Sequence, residues 1–213
     1  MRRFYHFSRP LRAAIIAAAP WILSGSAYGY AGAGALPLPR STDFSLIDVR
    51  GRSATAADFL GRGMLVYFGY TRCPDVCPLG LRNVGAAVEI LGDAAGEIQI
   101  VFISVDAWHD TPETVAAFIG KFRPGIVGLS GDKQAVFQAA RNYGVRYRSV
   151  RDGAAEVSHV DYVFVVGPDG SSRDVFPGAL APVEMAARIR SATSARSLQG
   201  EDTHHRDTAR PVK

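Results

Sequence analysis

A chain of 213 residues, 47% hydrophobic and 21% charged, has enough apolar surface for one independent core and too ordinary a balance for a disordered protein. Its formal net charge is +4, yet Arg2, Arg3, Arg9 and Arg12 crowd the start of the chain, and the remaining basic residues are matched by the 20 acidic ones. The body is close to neutral, which excludes nucleic-acid binding through bulk charge and points to a targeting signal.

That basic start runs into an apolar stretch from Ala13 to Leu23 and then small residues to Ala35. Residues 1–35 therefore read as a secretory signal peptide ending near Ala33-Gly-Ala35, or as an uncleaved membrane anchor. Pro20 and the glycines from Gly25 to Gly34 weaken the anchor reading, and a mitochondrial presequence ranks third. Residues 36–40, Leu-Pro-Leu-Pro-Arg, form an extended linker. The domain is expected over 41–192, without internal repeats, and the polar, aperiodic stretch 193–213 as a disordered tail.

Met64 to Gly69 is a short apolar run rich in β-formers and reads as a buried strand. Cys73-Pro-Asp-Val-Cys-Pro78 follows, and Leu79 to Leu91 continues as an amphipathic helix. The motif thus stands at the carboxyl end of a strand, where ligands bind in open α/β sheets. Glu97 to Asp106 is a second buried strand. Asp110-Thr-Pro112 opens a helix to Phe122, Ile126 to Leu129 is a short strand, and Asp132 caps a helix from Lys133 to Tyr143 that Gly144 ends. Val157 to Val166 and Ser171 to Phe176 form a hairpin around Gly167-Pro-Asp-Gly170, followed by a helix from Pro182 to Ser191. This order predicts a thioredoxin-like α/β fold: a central mixed sheet flanked by helices, closing with a β-hairpin plus helix.

The chain has only two cysteines, Cys73 and Cys77. As a structural disulfide they would close a very small loop and remove little unfolded-chain entropy, so the pair reads as a metal or redox site. Positions i and i+4 of one helical turn share a face, and a helix start favours thiolates. A trigonal metal site needs one more donor. His6 lies in the leader and His204 and His205 in the tail, leaving His109 and His159. Two soft sulfurs with an imidazole favour Cu(I), and such a set can also keep Cu(II).

Gly69-Tyr-Thr-Arg-Cys-Pro-Asp-Val-Cys-Pro78 resembles the signature of the Sco/SenC family of copper proteins. Ser104-Val-Asp-Ala-Trp-His-Asp-Thr-Pro112 resembles its second motif, and Val157-Ser-His-Val-Asp-Tyr-Val-Phe-Val-Val-Gly-Pro-Asp-Gly170 its third. The similarity runs from about Asp43 to Ile189. It implies a thioredoxin fold, metal ligands at Cys73, Cys77 and His159, and a role as a metallochaperone for the dinuclear copper centre of cytochrome c oxidase subunit II. A copper donor chaperone is expected as a partner, and the leader places the protein in the bacterial periplasm, soluble or at the inner membrane, with the mitochondrial inner membrane facing the intermembrane space as the alternative. The second motif departs from the family's usual pattern, with Ala107 where proline is usual and His109 where arginine is frequent. His109 reads as a surface histidine rather than a further ligand.

The rival function is a thiol–disulfide oxidoreductase acting on an exported client, with Cys73 and Cys77 catalytic, joined as a disulfide in the oxidised metal-free form, and recharged by a thiol–disulfide reductase. A structural zinc site ranks lower, because such sites want four protein ligands. Asp75 reads equally as an acceptor that orients a metal ligand from behind or as a helix cap, and Asp161 as a solvated strand charge rather than an orienting group.

Overall fold

The computed structural model describes residues 37–147 and 161–194. The leader before residue 37, the start of the Val157–Val166 strand and most of the tail lie outside the described residues. Among the described residues, no helix is long and apolar enough to cross a membrane.

Two strands form the middle of the sheet because their sequences are apolar at nearly every position. β3 (Gly63–Gly69) and β4 (Ile98–Ser104) are buried along their whole length and pair in parallel, Gly63 opposite Ile98 through to Gly69 opposite Ser104. Such unbroken apolar runs belong to strands covered on both faces. β5 (Val127–Ser130) joins β4 in parallel. β6 (Tyr162–Val166) lies antiparallel on the other side of β3, and β7 (Ser172–Pro177) antiparallel to β6. The expected hairpin turn closes with the Gly170 N–H donating to the Gly167 carbonyl at 2.9 Å, Gly170 taking a φ of 78° that suits glycine.

The far edge holds two short strands without a counterpart in the sequence reading. β1 (Ser45–Asp48) pairs antiparallel with β5 and with β2 (Ser53–Thr55). The Asp48 carboxylate organises the turn between them, accepting from the Arg50 and Arg52 backbone N–H groups at 2.8 and 2.9 Å. The sheet order is β2-β1-β5-β4-β3-β6-β7.

Because side chains alternate along β3, Leu65 and Tyr67 point to one layer and Met64, Val66 and Phe68 to the other. The first layer is covered by α1 (Val76–Ile90), α2 (Pro112–Ile119) and α4 (Pro182–Ser194). The second is covered by α3 (Lys133–Asn142), where Phe68, Tyr143 and Phe164 pack edge to face with centroids 5.1 to 5.9 Å apart. α2 starts on the Thr111 hydroxyl, which accepts from the Thr114 N–H, with Pro112 in the first turn. It stops at Gly120, short of the expected Phe122. α3 starts on Asp132, which accepts from the Ala135 N–H at 2.8 Å.

Candidate metal and redox site

β3 delivers the chain to the site and α1 carries it away. After Gly69 the backbone turns, the Cys73 N–H donating to the Tyr70 carbonyl at 3.3 Å, and the helix begins at Val76. This is earlier than the sequence suggests: Pro78 sits inside the first turn, where its missing N–H costs nothing. Cys77 is therefore helical, whereas Cys73 belongs to the loop before it. The two do not share a helical turn. They meet because the Cys77 N–H, one of the orphan donors of a helix start, donates to the Cys73 sulfur at 3.3 Å. Asp75 occupies the cap position without accepting a cap bond from its side chain, so the helix-cap reading does not hold and a sulfur takes that part.

Both cysteines are free thiols and nearly buried, Cys73 5% and Cys77 4% exposed. Burial pushes the Cys77 thiol well above the ordinary thiol range, and its hydrogen bond with the Cys73 side chain adds to this. Tyr70 is raised for the same first reason, with negative charge on Cys73 and Cys77 next. Room for the Cys77 sulfur comes from Gly69: a Cβ there would stand 3.0 Å from that sulfur and 2.8 Å from the Phe102 ring. Among the described residues, no group of three or more His, Cys, Asp or Glu is placed to hold a metal ion. The sulfur couple by itself supplies two soft donors, suited to a thiophilic ion completed by a further ligand. His159 lies outside the described residues.

Two buried carboxylates on the loop after β4 grip the residues just before Cys73. Asp110, 6% exposed, accepts from the Thr71 backbone N–H at 2.9 Å, from the Thr71 hydroxyl at 2.6 Å and from the Ser104 hydroxyl at 2.5 Å. Asp106, fully buried, accepts from the Arg72 guanidinium at 3.0 Å. Nδ1 of His109 stands 2.9 Å from Asp106 Oδ1 and 2.6 Å from Arg72 Nη2. One nitrogen cannot both donate to a carboxylate and accept from a guanidinium, so the proton on Nδ1 decides which contact is a hydrogen bond. His109 is thus a partly buried member of this network, not the surface histidine of the sequence reading.

Asp161 departs from expectation as well. Its carboxylate accepts from the Tyr67 hydroxyl at 2.9 Å, and Tyr67 is fully buried under α1. Burial first, then negative charge on Cys77 and Asp161, pushes the Tyr67 phenol far above its ordinary range, so it stays a donor. The helix comes this close because of Gly80, where a Cβ would lie 2.6 Å from the Tyr67 oxygen. Gly80→Ala is expected to destabilise the chain by about 1–3 kcal/mol through overpacking, read as a lower midpoint of chemical denaturation.

A mixed sheet with helices on both faces, carrying a dithiol where a central strand hands over to a helix, defines a thioredoxin-like protein with a Cys-x-x-x-Cys site. The model of the SCO1/SenC family matches residues 35–194, and the chain belongs to that family. It is 36% identical over 151 residues to the mitochondrial SCO1 homologue of Homo sapiens, covering 68% of this chain and 50% of that one. It is 35% identical over 145 residues to SenC of Rhodobacter capsulatus, covering 65% of this chain and 66% of the relative. Among solved structures, Bradyrhizobium japonicum ScoI with copper bound superposes with a TM-score of 0.64 at 31% identity, covering 71% of this chain and 98% of the other. The chain spans about half the length of the human relative it matches.

Proposed function

We propose that this protein is a copper-binding assembly factor whose Cys73, Cys77 and His159 hold one copper ion as cargo, for delivery to the dinuclear copper site of cytochrome c oxidase subunit II or for its preparation. One observation carries the reading: a reduced, nearly buried sulfur couple held by a helix-start N–H, in a family whose Bradyrhizobium member has been solved with copper bound. Two thiolates and an imidazole match the preference of Cu(I), and the nitrogen donor also suits Cu(II). The partners that fit are a donor chaperone and a cuproprotein client. The basic, apolar leader supports export to a bacterial periplasm, free or anchored at the inner membrane, with the intermembrane-space side of the mitochondrial inner membrane as the alternative.

The second reading is thiol–disulfide exchange on a client. It is favoured by the same pair, since the Cys73 sulfur accepts from the Cys77 N–H and the two thiol side chains share a hydrogen bond, which sets them side by side for exchange. His159→Ala separates the two. The reduced protein is expected to take up one equivalent of Cu(I), and the variant to lose tight binding while keeping its fold and any exchange with a small disulfide. Unchanged Cu(I) affinity in competition with a chromogenic chelator would defeat the ligand assignment, and stoichiometric preference for zinc would defeat copper.

A further inference from the structure

The hydrogen bond between Tyr67 and Asp161 joins two parts of the chain that the copper reading needs together. Tyr67 rises from β3 into the layer under α1, and its hydroxyl donates to Asp161 at 2.9 Å while standing 3.4 Å from the carbonyl of Val76, the residue before Cys77. Asp161 immediately precedes β6. Its own carbonyl accepts from the Gly178 N–H at 2.8 Å, and the Gly178 carbonyl accepts from Asn83 of α1 at 3.0 Å. The bare Cα of Gly178 leaves the space that the Asp161 carboxylate fills. The start of β6 is therefore tied to β3 by a buried phenol packed under the cysteine-bearing helix, and to that helix itself through the turn after β7.

From this geometry we infer that Tyr67 and Asp161 are positioning residues for the copper site, fixing where the chain before β6 stands relative to Cys77. The inference rests on the proposal that Cys73, Cys77 and His159 are the ligands. His159 precedes Asp161 by two residues in the sequence, and two residues of chain span at most about 7 Å. Anchoring Asp161 thus confines the proposed third ligand to a small volume around a fixed point. Holding Asp161 leaves copper binding less chain to fix in place, and each freedom fixed on binding costs affinity. A carboxylate would also be needless for this task if it merely faced water, whereas here it receives the only polar atom of a fully buried ring.

The test uses the full reduced chain, Cu(I) affinity measured against a chromogenic chelator, and the thiolate-to-Cu(II) charge-transfer absorption of the oxidised copper form. Tyr67→Phe keeps the ring and deletes the hydroxyl; Asp161→Ala deletes the acceptor; Asp161→Asn retains an acceptor oxygen and serves as rescue. Tyr67→Phe and Asp161→Ala are expected to weaken Cu(I) binding about 10- to 100-fold, as lost supporting contacts around metal ligands do, and to shift the charge-transfer band, while Asp161→Asn stays near the parent. Far-ultraviolet circular dichroism of each variant reports its fold, and Tyr67→Phe keeps the test decisive should Asp161→Ala unfold. Parent-like affinity and spectrum in a folded Tyr67→Phe would overturn the inference while loss of binding in His159→Ala left the ligand assignment standing. Parent-like binding in His159→Ala would bring down that assignment, and this role with it.

Discussion

Cys77→Ser is expected to abolish stoichiometric copper binding, and the parent protein's Cu(I) affinity is expected to climb steadily with pH from 6 to 9, at about tenfold per unit for each proton displaced. Both expectations follow from where the sulfur lies. Cys77 is 4% exposed, among Leu81, Tyr67 and Phe102, and burial pushes its thiol above the ordinary value of 9.0. The metal must therefore displace a firmly held proton, and raising the pH removes that competition. The sign for folding is the opposite. A thiol whose proton is held more tightly in the native state favours folding fully below the unfolded value, and this contribution is lost as pH rises beyond it. The metal-free reduced protein should thus lose stability above the ordinary thiol range, and the copper form should be spared. Serine in this place costs about 1–2 kcal/mol for burying a hydroxyl among apolar neighbours. Denaturant unfolding of Cys77→Ser distinguishes that modest loss from the complete loss of the metal. Tight, stoichiometric copper on the folded variant, or an affinity flat with pH, would contradict the account.

The second large effect is expected at Asp110. Asp110→Ala should destabilise the protein by about 3 kcal/mol, because it strands the Thr71 N–H and two hydroxyl groups around a nearly buried position. The hydroxyls of Thr71 and Ser104 can turn toward other acceptors, but the Thr71 N–H cannot. Asp110→Asn should recover part of the loss, since one amide oxygen still accepts while its NH₂ faces donors. Thr71 lies in the loop holding Cys73, so hydrogen exchange at the Thr71 and Cys73 amides should quicken in Asp110→Ala more than at the centre of β3. Equal protection at all these amides would mean that Asp110 supports the fold without steadying the sulfur loop.

Much of this architecture is readable from residues alone, for identifiable reasons. β3 and β4 announce themselves because strands buried on both faces carry unbroken apolar runs, and α2 and α3 because Thr111-Pro112 and Asp132 mark helix starts. The hairpin at Gly167 to Gly170 is written in its turn residues. Where the reading fell short, the determinants were short or distant. β1 and β2 have 4 and 3 residues, too few for any periodicity to register. The early start of α1 was hidden by Pro78, which breaks helix interiors but is tolerated in a first turn. The cysteine pair is visible as a motif, yet its geometry depends on a loop sulfur meeting a helix N–H rather than on helical spacing. Asp161 and Tyr67 lie 94 positions apart, and nothing local distinguishes a carboxylate that takes a buried phenol from one facing water. Asp106 and Asp110 are hidden for the same reason: composition paints them as loop charges, and only the returning chain buries them.

The alternation of β3 has a broader consequence for how this protein can vary. Adjacent residues of one strand serve separate tasks, Tyr67 beneath the sulfur-bearing helix and Phe68 within the aromatic cluster against α3. The sheet acts as a partition between a chemical half and a purely mechanical half. Repacking the mechanical half alters how firmly the partition stands, not the arrangement of donors on its other side. Lineages or designers can therefore tune thermal endurance through that half while the sulfur pair is inherited intact.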